Sequence, residues 1–500
     1  MGVVGLLANA TNTREDALRL LLSVLACYPL AIFHRSFLAK KPAQVQHAAF
    51  IAIGVALYVF QYGWSVIHPC LSILAAWGIT NFIAGTQLSI IAAHAAFLGH
   101  LLLGYWFAES DSYDINWTTP QCILTLRFIG MVMDVYDGFH YEMVKPDMKK
   151  TAIRDPPGML EIAAYAFFFC GSVVGPQFTL AHFRQFVNGH HLDENQNPRK
   201  SALMPSLGRF VAGVTYCVIY QWSCVWIPTP EWFQSAEFLN MSFFWRWTWV
   251  MIWFRLTLYR YPAMWLMSEG SAILSGIGYN GKNENGEDRW DAVRDIHIWK
   301  FETGHDFSSI VMSFNCGTNT FARNHIFRRL RWLNSKFGAH LVTLMYLAIW
   351  HGYHLGYFIL FFYELSCMVA QEQLYSLIER TPGWSQLISQ AYMRPVVIIF
   401  GHLVVKYSMG FIFLTFGLIK TREWIVPIGS LYYAGFIFYL VIWPISYQIL
   451  RRNLPRKKTK EDISGGSKDK STAAAVPSNG IMASNEKEGS NESQETKKEL

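Results

Sequence analysis

Residues 341–363, LVTLMYLAIWHGYHLGYFILFFY, place His351 near the middle of a stretch dominated by apolar side chains. An ionisable group deep in such a stretch is costly to keep and is by default a functional hypothesis. Trp350, Gly352, Tyr353 and Gly356 surround it with rings and allow close backbone approach, the ingredients of a narrow tunnel past a catalytic group. His354 lies three residues on, so one continuous helix would project both imidazoles from nearby faces of a single turn. The two could start a metal site, but no further ligand of suitable type and spacing accompanies them, so no metal is expected. His94, His100 and His402 also lie in apolar stretches and read as core histidines bonded to a neighbour.

The second chemical feature is residues 313–333, SFNCGTNTFARNHIFRRLRWL. Small and polar residues give way to a basic amphipathic helix. Phe321, Ile326, Phe327, Leu330 and Leu333 make the apolar stripe, and Arg323, Arg328, Arg329 and Arg331 supply charge. Such a helix suits anionic headgroups at a membrane surface. Arg323, Arg328 and Arg329 also suit a soluble phosphorylated donor such as coenzyme A, whose phosphates are matched by guanidinium forks.

Other chemistries find no motif. There is no Walker A loop, GxSxG, HExxH or DHHC, and none of the 16 histidines is followed by Asp five residues later. The single GxGxxG, Gly276 to Gly281, lacks the preceding strand and following helix of a dinucleotide site and reads as tight turns at a membrane exit. The eight cysteines are scattered without a CxxC pair and read as small buried hydrophobes.

The elements that must position these residues are membrane helices. Of 500 residues, 52% are hydrophobic, 16% aromatic and only 15% charged, against about 25% charged in soluble domains. This excludes an ordinary soluble enzyme, a disordered chain and a disulfide scaffold. The net charge of +7 is small and dispersed, so no nucleic acid partner is expected. Spans of about 20 apolar residues fall at 17–33, 48–67, 69–84, 86–108, 121–136, 160–181, 206–228, 243–266, 340–363, 395–418 and 426–449. That makes an all-α polytopic protein of about eleven transmembrane helices. Two of them invite bending or re-entry: 121–136 holds Arg127 and Asp134, and 160–181 holds Glu161, Gly171, Gly175 and Pro176.

Lys and Arg set the orientation. Arg35, Lys40 and Lys41, then Lys145, Lys149, Lys150 and Arg154, put two loops on the cytosolic side. The N-terminus is then lumenal, with the sequons at Asn9 and Asn116, and the basic run 451–460 makes the C-terminus cytosolic. A third sequon stands at Asn240. The basic region 279–336 falls on the lumenal side by simple counting. A re-entrant 160–181 and a further membrane element near 270–320 would reconcile it with a cytosolic position. Residues 1–450 read as one membrane domain. Residues 451–500 are too polar to bury a core and are expected to be disordered. They end Lys497-Lys498-Glu499-Leu500, which resembles a dilysine signal for retrieval to the endoplasmic reticulum.

The frame Phe314-Asn315-x-x-Thr318-Asn319 and, 36 residues after the asparagine, Trp350-His351-Gly352-x-His354-x-Gly356-Tyr357 resembles the signature of the membrane-bound O-acyltransferase family. Segments 119–127 (TPQCILTLR), 173–178 (VVGPQF), 274–281 (LSGIGYNG), 290–292 (WDA) and 299–303 (WKFET) are similar to its lysophospholipid-acylating members. The likeness runs from about 110 to 450. It implies helices around a substrate tunnel and transfer of an acyl group from acyl-CoA, a co-substrate rather than a bound cofactor, to a hydroxyl. It implies His351 as general base and Asn315 as the residue that holds the alcohol or stabilises the oxyanion. Lysophosphatidylcholine is the implied acceptor, with lysophosphatidylethanolamine and lysophosphatidylserine, in phospholipid remodelling among membrane lipids. Other acceptors in the family would be a sterol, a diacylglycerol or a protein. Outside the family, a transporter with His351 in a permeation path is the rival. Oligomeric state stays open, a homo-oligomer included.

Overall fold

The computed structural model describes residues 2–10, 13–109 and 115–454. The tail expected to be disordered does not begin at 451: residues 451–453 still belong to the Trp443–Asn453 helix, whose periodicity carries on past the last apolar run, and the rest from 455, with its dilysine ending, lies outside the described residues. Among them the chain is helical, and β-pairing is confined to isolated bridges. Among the described residues, six helical stretches are long and apolar enough to cross a membrane: Glu15–Leu38, Ala43–Phe82, Gln87–Phe107, Lys200–Ser223, Arg394–Gly417 and Ala434–Asn453. The Ala43–Phe82 stretch is 40 residues long, about twice what one crossing needs, and Gly63 with φ +58° turns it.

Three expectations are corrected. The span 340–363 is not one helix. One helix, Lys336–His351, stops at Gly352, and another, Leu355–Arg380, starts after His354. Gly352 has φ +136° and ψ −171°, a backbone that side chains with a Cβ rarely adopt. His351 and His354 therefore do not share a helical turn. The span 243–266 is likewise two helices, Phe243–Leu258 and Arg260–Ser275. Segment 313–333 is no single amphipathic helix either. It runs through a short α-helix (Cys316–Phe321), a π-turn (Ala322–Ile326) and a 3₁₀ stretch (Phe327–Leu333).

The two irregular spans part company. Thr118–Phe139 is a continuous helix despite Arg127 and Asp134. Met159–Ala166 ends early, and the chain runs without helix through the cis Gly175–Pro176 bond before Leu180–Val187. Near 270–320 the helices after Ser275 are six or seven residues long. The turn at Gly276 is left-handed, φ +111°, so the GxGxxG run is a helix stop. None of the eight cysteines is in a disulfide.

The chain divides into two compact units. The first takes Met1–Ile227, Leu256–His297 and Phe314–Tyr353. Its helices Leu203–Ser223 and Arg260–Ser275 pack with almost no side-chain spacer at Gly213, where a Cβ would come within 2.6 Å of Met267 Cγ. Rings of Phe50, Phe168, Phe169, Phe183 and Phe186 fill a neighbouring core. The second unit takes Pro228–Arg255, Ile298–Ser313 and His354–Leu500. Its core gathers Tyr363, Phe411, Phe436 and Tyr439. Gly356 lets its helix touch the Arg394–Gly417 helix, where Thr415 Oγ1 donates to the Gly356 carbonyl at 2.9 Å.

Candidate active site

Asn315 stands in the left-handed conformation, φ 51° and ψ 48°, immediately before the Cys316 helix. Asparagine tolerates this region better than most residues. Its neighbours fix it from both sides. Phe314 bridges Ile296 in antiparallel fashion. The Cys316 amide donates to the Asp295 carbonyl at 3.0 Å, and the Gly317 amide donates to Asp295 Oδ1 at 3.3 Å. Asp295 thus grips the two residues that follow Asn315 through both its backbone and its side chain.

A second layer holds that grip. A Cβ on Gly317 would lie 2.6 Å from Gln177 Cβ and 2.7 Å from Asp295 Oδ1, so nothing larger than glycine fits without a shift. Gln177 Oε1 accepts from Arg127 Nε at 3.1 Å. The other end of that guanidinium donates to the Pro176 carbonyl at 2.6 Å and lies 4.1 Å from the Phe178 ring. Arg127 is 3% exposed. A buried cation is tolerated when hydrogen bonds and ring faces replace its water. The helix-less stretch after Met159–Ala166 is what brings Pro176 and Gln177 to Arg127 and Gly317. Parts of the separate segments 119–127, 173–178 and 313–319 therefore meet, close behind Asn315.

His351 closes the Lys336–His351 helix and is half-buried. The residue before it is tied down twice. Trp350 Nε1 donates to the Cys122 carbonyl at 2.8 Å, and Tyr105 Oη donates to the Trp350 carbonyl at 3.2 Å. The Trp350 ring stands edge-on to the imidazole, 4.6 Å between centroids. One residue after Gly352, Tyr353 donates to Glu109 at 2.7 Å. The anchors of both site residues thus share the Thr118–Phe139 helix: Cys122 carries the Trp350 contact and Arg127 the Gln177 contact, about 7.5 Å apart along its axis. A rigid helix fixes the spacing of these two anchor points.

The same helix supplies two of the three carboxylates that hold the basic segment, Asp134 and Asp137; the third, Asp147, lies in the loop after it. Arg329 forks onto Asp137 at 2.9 and 2.6 Å. Arg328 pairs with Asp147. His325 Nε2 lies 2.9 Å from Asp134 Oδ1, with Phe321 stacked on its ring. Two of the three arginines expected at the donor phosphates thus already hold a carboxylate, which leaves each guanidinium further N–H donors. Asp137→Ala should lower stability by about 2–3 kcal/mol, the worth of a charged hydrogen-bonded pair. A thermal midpoint in detergent equal to that of the wild type would show that the fork holds nothing.

Sequence reasoning flagged Arg127 and Asp134 only as oddities in an apolar stretch. It missed Asp295 altogether, because one carboxylate in a polar loop of many charges carries no local mark.

The family model for the membrane-bound O-acyltransferases matches residues 102–410. A Caenorhabditis elegans protein named lysophospholipid acyltransferase 5 is 62% identical over 92% of this chain and 97% of its own length. Proteins of that name from mouse and human are 33% and 32% identical over 90% of this chain and 93% of theirs. The matched region contains Asn315, His351 and every residue that anchors them, and the chain belongs to the membrane-bound O-acyltransferase family of acyl-transferring enzymes.

Proposed function

We propose that this enzyme transfers an acyl chain from acyl-CoA to the sn-2 hydroxyl of a lysophospholipid, lysophosphatidylcholine first, with lysophosphatidylethanolamine and lysophosphatidylserine. The observation that carries the acceptor class is the 62% identity across 97% of a relative named for lysophospholipid acylation. His351 Nδ1 or Nε2 takes the hydroxyl proton, and the oxygen attacks the thioester carbonyl. The Asn315 amide donates to the oxyanion or holds the alcohol. The carbon–sulfur bond then breaks, and the imidazolium returns its proton to the departing coenzyme A thiolate. A base placed in this way contributes about 10²–10⁴-fold.

Arg323, Arg328 and Arg329 serve the donor phosphates in this reading. About eleven spans surround a tunnel that keeps water from the thioester, in the endoplasmic-reticulum membrane, with the polar tail in the cytosol. The test offers labelled acyl-CoA to purified protein with lysophosphatidylcholine, cholesterol or diacylglycerol. Label should enter the lysophospholipid far faster. Preference for cholesterol or diacylglycerol would overturn the acceptor, and acyl-CoA left untouched with all three would overturn the donor.

A further inference from the structure

The Arg394–Gly417 helix is the most apolar of the six spanning stretches, yet Lys406 stands at its centre. At 1.5 Å per residue, either end is roughly 18 Å away, beyond the reach of a lysine that would stretch to the membrane surface. Lys406 is half-buried, and among the described residues it makes no hydrogen bond or ion pair. An uncompensated ammonium at such a depth is kept only for a purpose.

Its surroundings are cationic. His402 is one turn earlier on the same face, and its Nδ1 is buried without a partner. The Phe243–Leu258 helix packs alongside, with Gly410 against Met251 and Phe254 against Phe413, and carries Arg255 in its last turn. The backbone of His305 touches the Arg394–Gly417 helix at Gly401. Arg255, Lys406, His305 and the single acid Glu302 all act electrostatically on His402, and Arg255 and Glu302 act on Lys406. Glu302 is bound to Arg255, whose guanidinium also faces the Phe301 ring at 4.0 Å. One carboxylate, held by Arg255, therefore faces two basic side chains, Arg255 and Lys406. Every group named belongs to the second compact unit.

We propose that Lys406, with His402 and Arg255, forms a subsite for a phosphate ester. This rests on the function proposed above, because both of its substrates carry that group: a phosphodiester in the lysophospholipid, and phosphates in coenzyme A. Ammonium and imidazole donors meeting an anionic oxygen away from water make strong, short bonds.

The test measures equilibrium binding of radiolabelled lysophosphatidylcholine, coenzyme A and 1-monoacylglycerol to the full-length protein in detergent. Lys406→Gln should weaken one of the two phosphate ligands by about tenfold or more, leave monoacylglycerol unchanged, and be restored by Lys406→Arg. Loss confined to lysophosphatidylcholine assigns the acceptor, and loss confined to coenzyme A assigns the donor. Unchanged binding of both, or equal weakening of monoacylglycerol, overturns the proposal. Should Lys406→Gln fail to fold, mass spectrometry of the wild type after lysine-selective acetylation decides. Protection of Lys406 by a phosphate ligand but not by monoacylglycerol supports the subsite, and no protection refutes it. Neither readout needs turnover, so an inactive wild type would count against the proposed reaction alone.

Discussion

His351→Ala should reduce acyl transfer to lysophosphatidylcholine by roughly 10²–10⁴-fold, at expression matched to the wild type. The imidazole ends its helix and is half-buried, so its removal leaves the Trp350 anchors to Cys122 and Tyr105 in place. The protein should therefore still fold, and the loss should fall on turnover. Asn315→Ala should cost about 10²–10³-fold, the usual consequence of deleting one donor to a developing oxyanion. Near-normal activity in His351→Ala would discard this base. The base would then be sought at His354, which immediately precedes the next helix with an extended backbone.

Asp295→Ala should lower turnover on the order of a hundredfold, as a displacement of about 1 Å can at a reacting centre. Asp295 touches no substrate in this mechanism; it is a positioning residue that holds the amides of Cys316 and Gly317 beside Asn315. Turnover should fall while the KM values for donor and acceptor stay near those of the wild type. Asp295→Asn keeps an acceptor oxygen for the Gly317 amide and should recover most of the rate. If both variants lose the same activity, or if KM moves instead, the positioning role is wrong.

The same residue predicts a pH signature. Burial, and after it the nearby carboxylate of Glu269, pushes Asp295 up to about 7, against the opposing effects of the Gly317 amide and Arg127. Between about pH 4 and about pH 7 the folded protein keeps a proton that the unfolded chain has released. That contribution to stability is complete below about pH 4 and is lost as pH rises through about 7. Thermal midpoints should fall from about pH 5 to about pH 7.5 more steeply in the wild type than in Asp295→Asn, which has no proton to lose. Identical slopes would remove Asp295 as the source.

Much of this architecture is legible because a membrane selects on a local property. About twenty apolar residues in a row are visible in any window of sequence. The stretches at 17–33, 86–108, 206–228 and 395–418 accordingly reappear as helices with shifts of a few residues. His351 was legible for the same reason, as an ionisable side chain against an apolar background. The proposed pair came from a different kind of signal, the Asn315 to His351 frame, which composition and periodicity do not carry.

The helix breaks needed more than composition. The glycine between His351 and Tyr353 is as compatible with a continuous helix as with a stop, and only the packed chain imposes φ +136° on Gly352. Arg127 looked like grounds for bending its helix. The hydrogen bonds it donates to residues 176 and 177, some fifty positions later, instead make it an interior brace within a continuous one.

By itself, then, the sequence determined the membrane class, the apolar stretches and the imidazole set among them, since each depends on neighbours along the chain. Tertiary structure decided where those stretches break, that Asp295 steadies Asn315, that Arg329 answers to Asp137, and that Lys406 shares its surroundings with His402 and Arg255. Those outcomes depend on partners tens to hundreds of residues away, brought together only when the helices pack and buried polar groups must be paired.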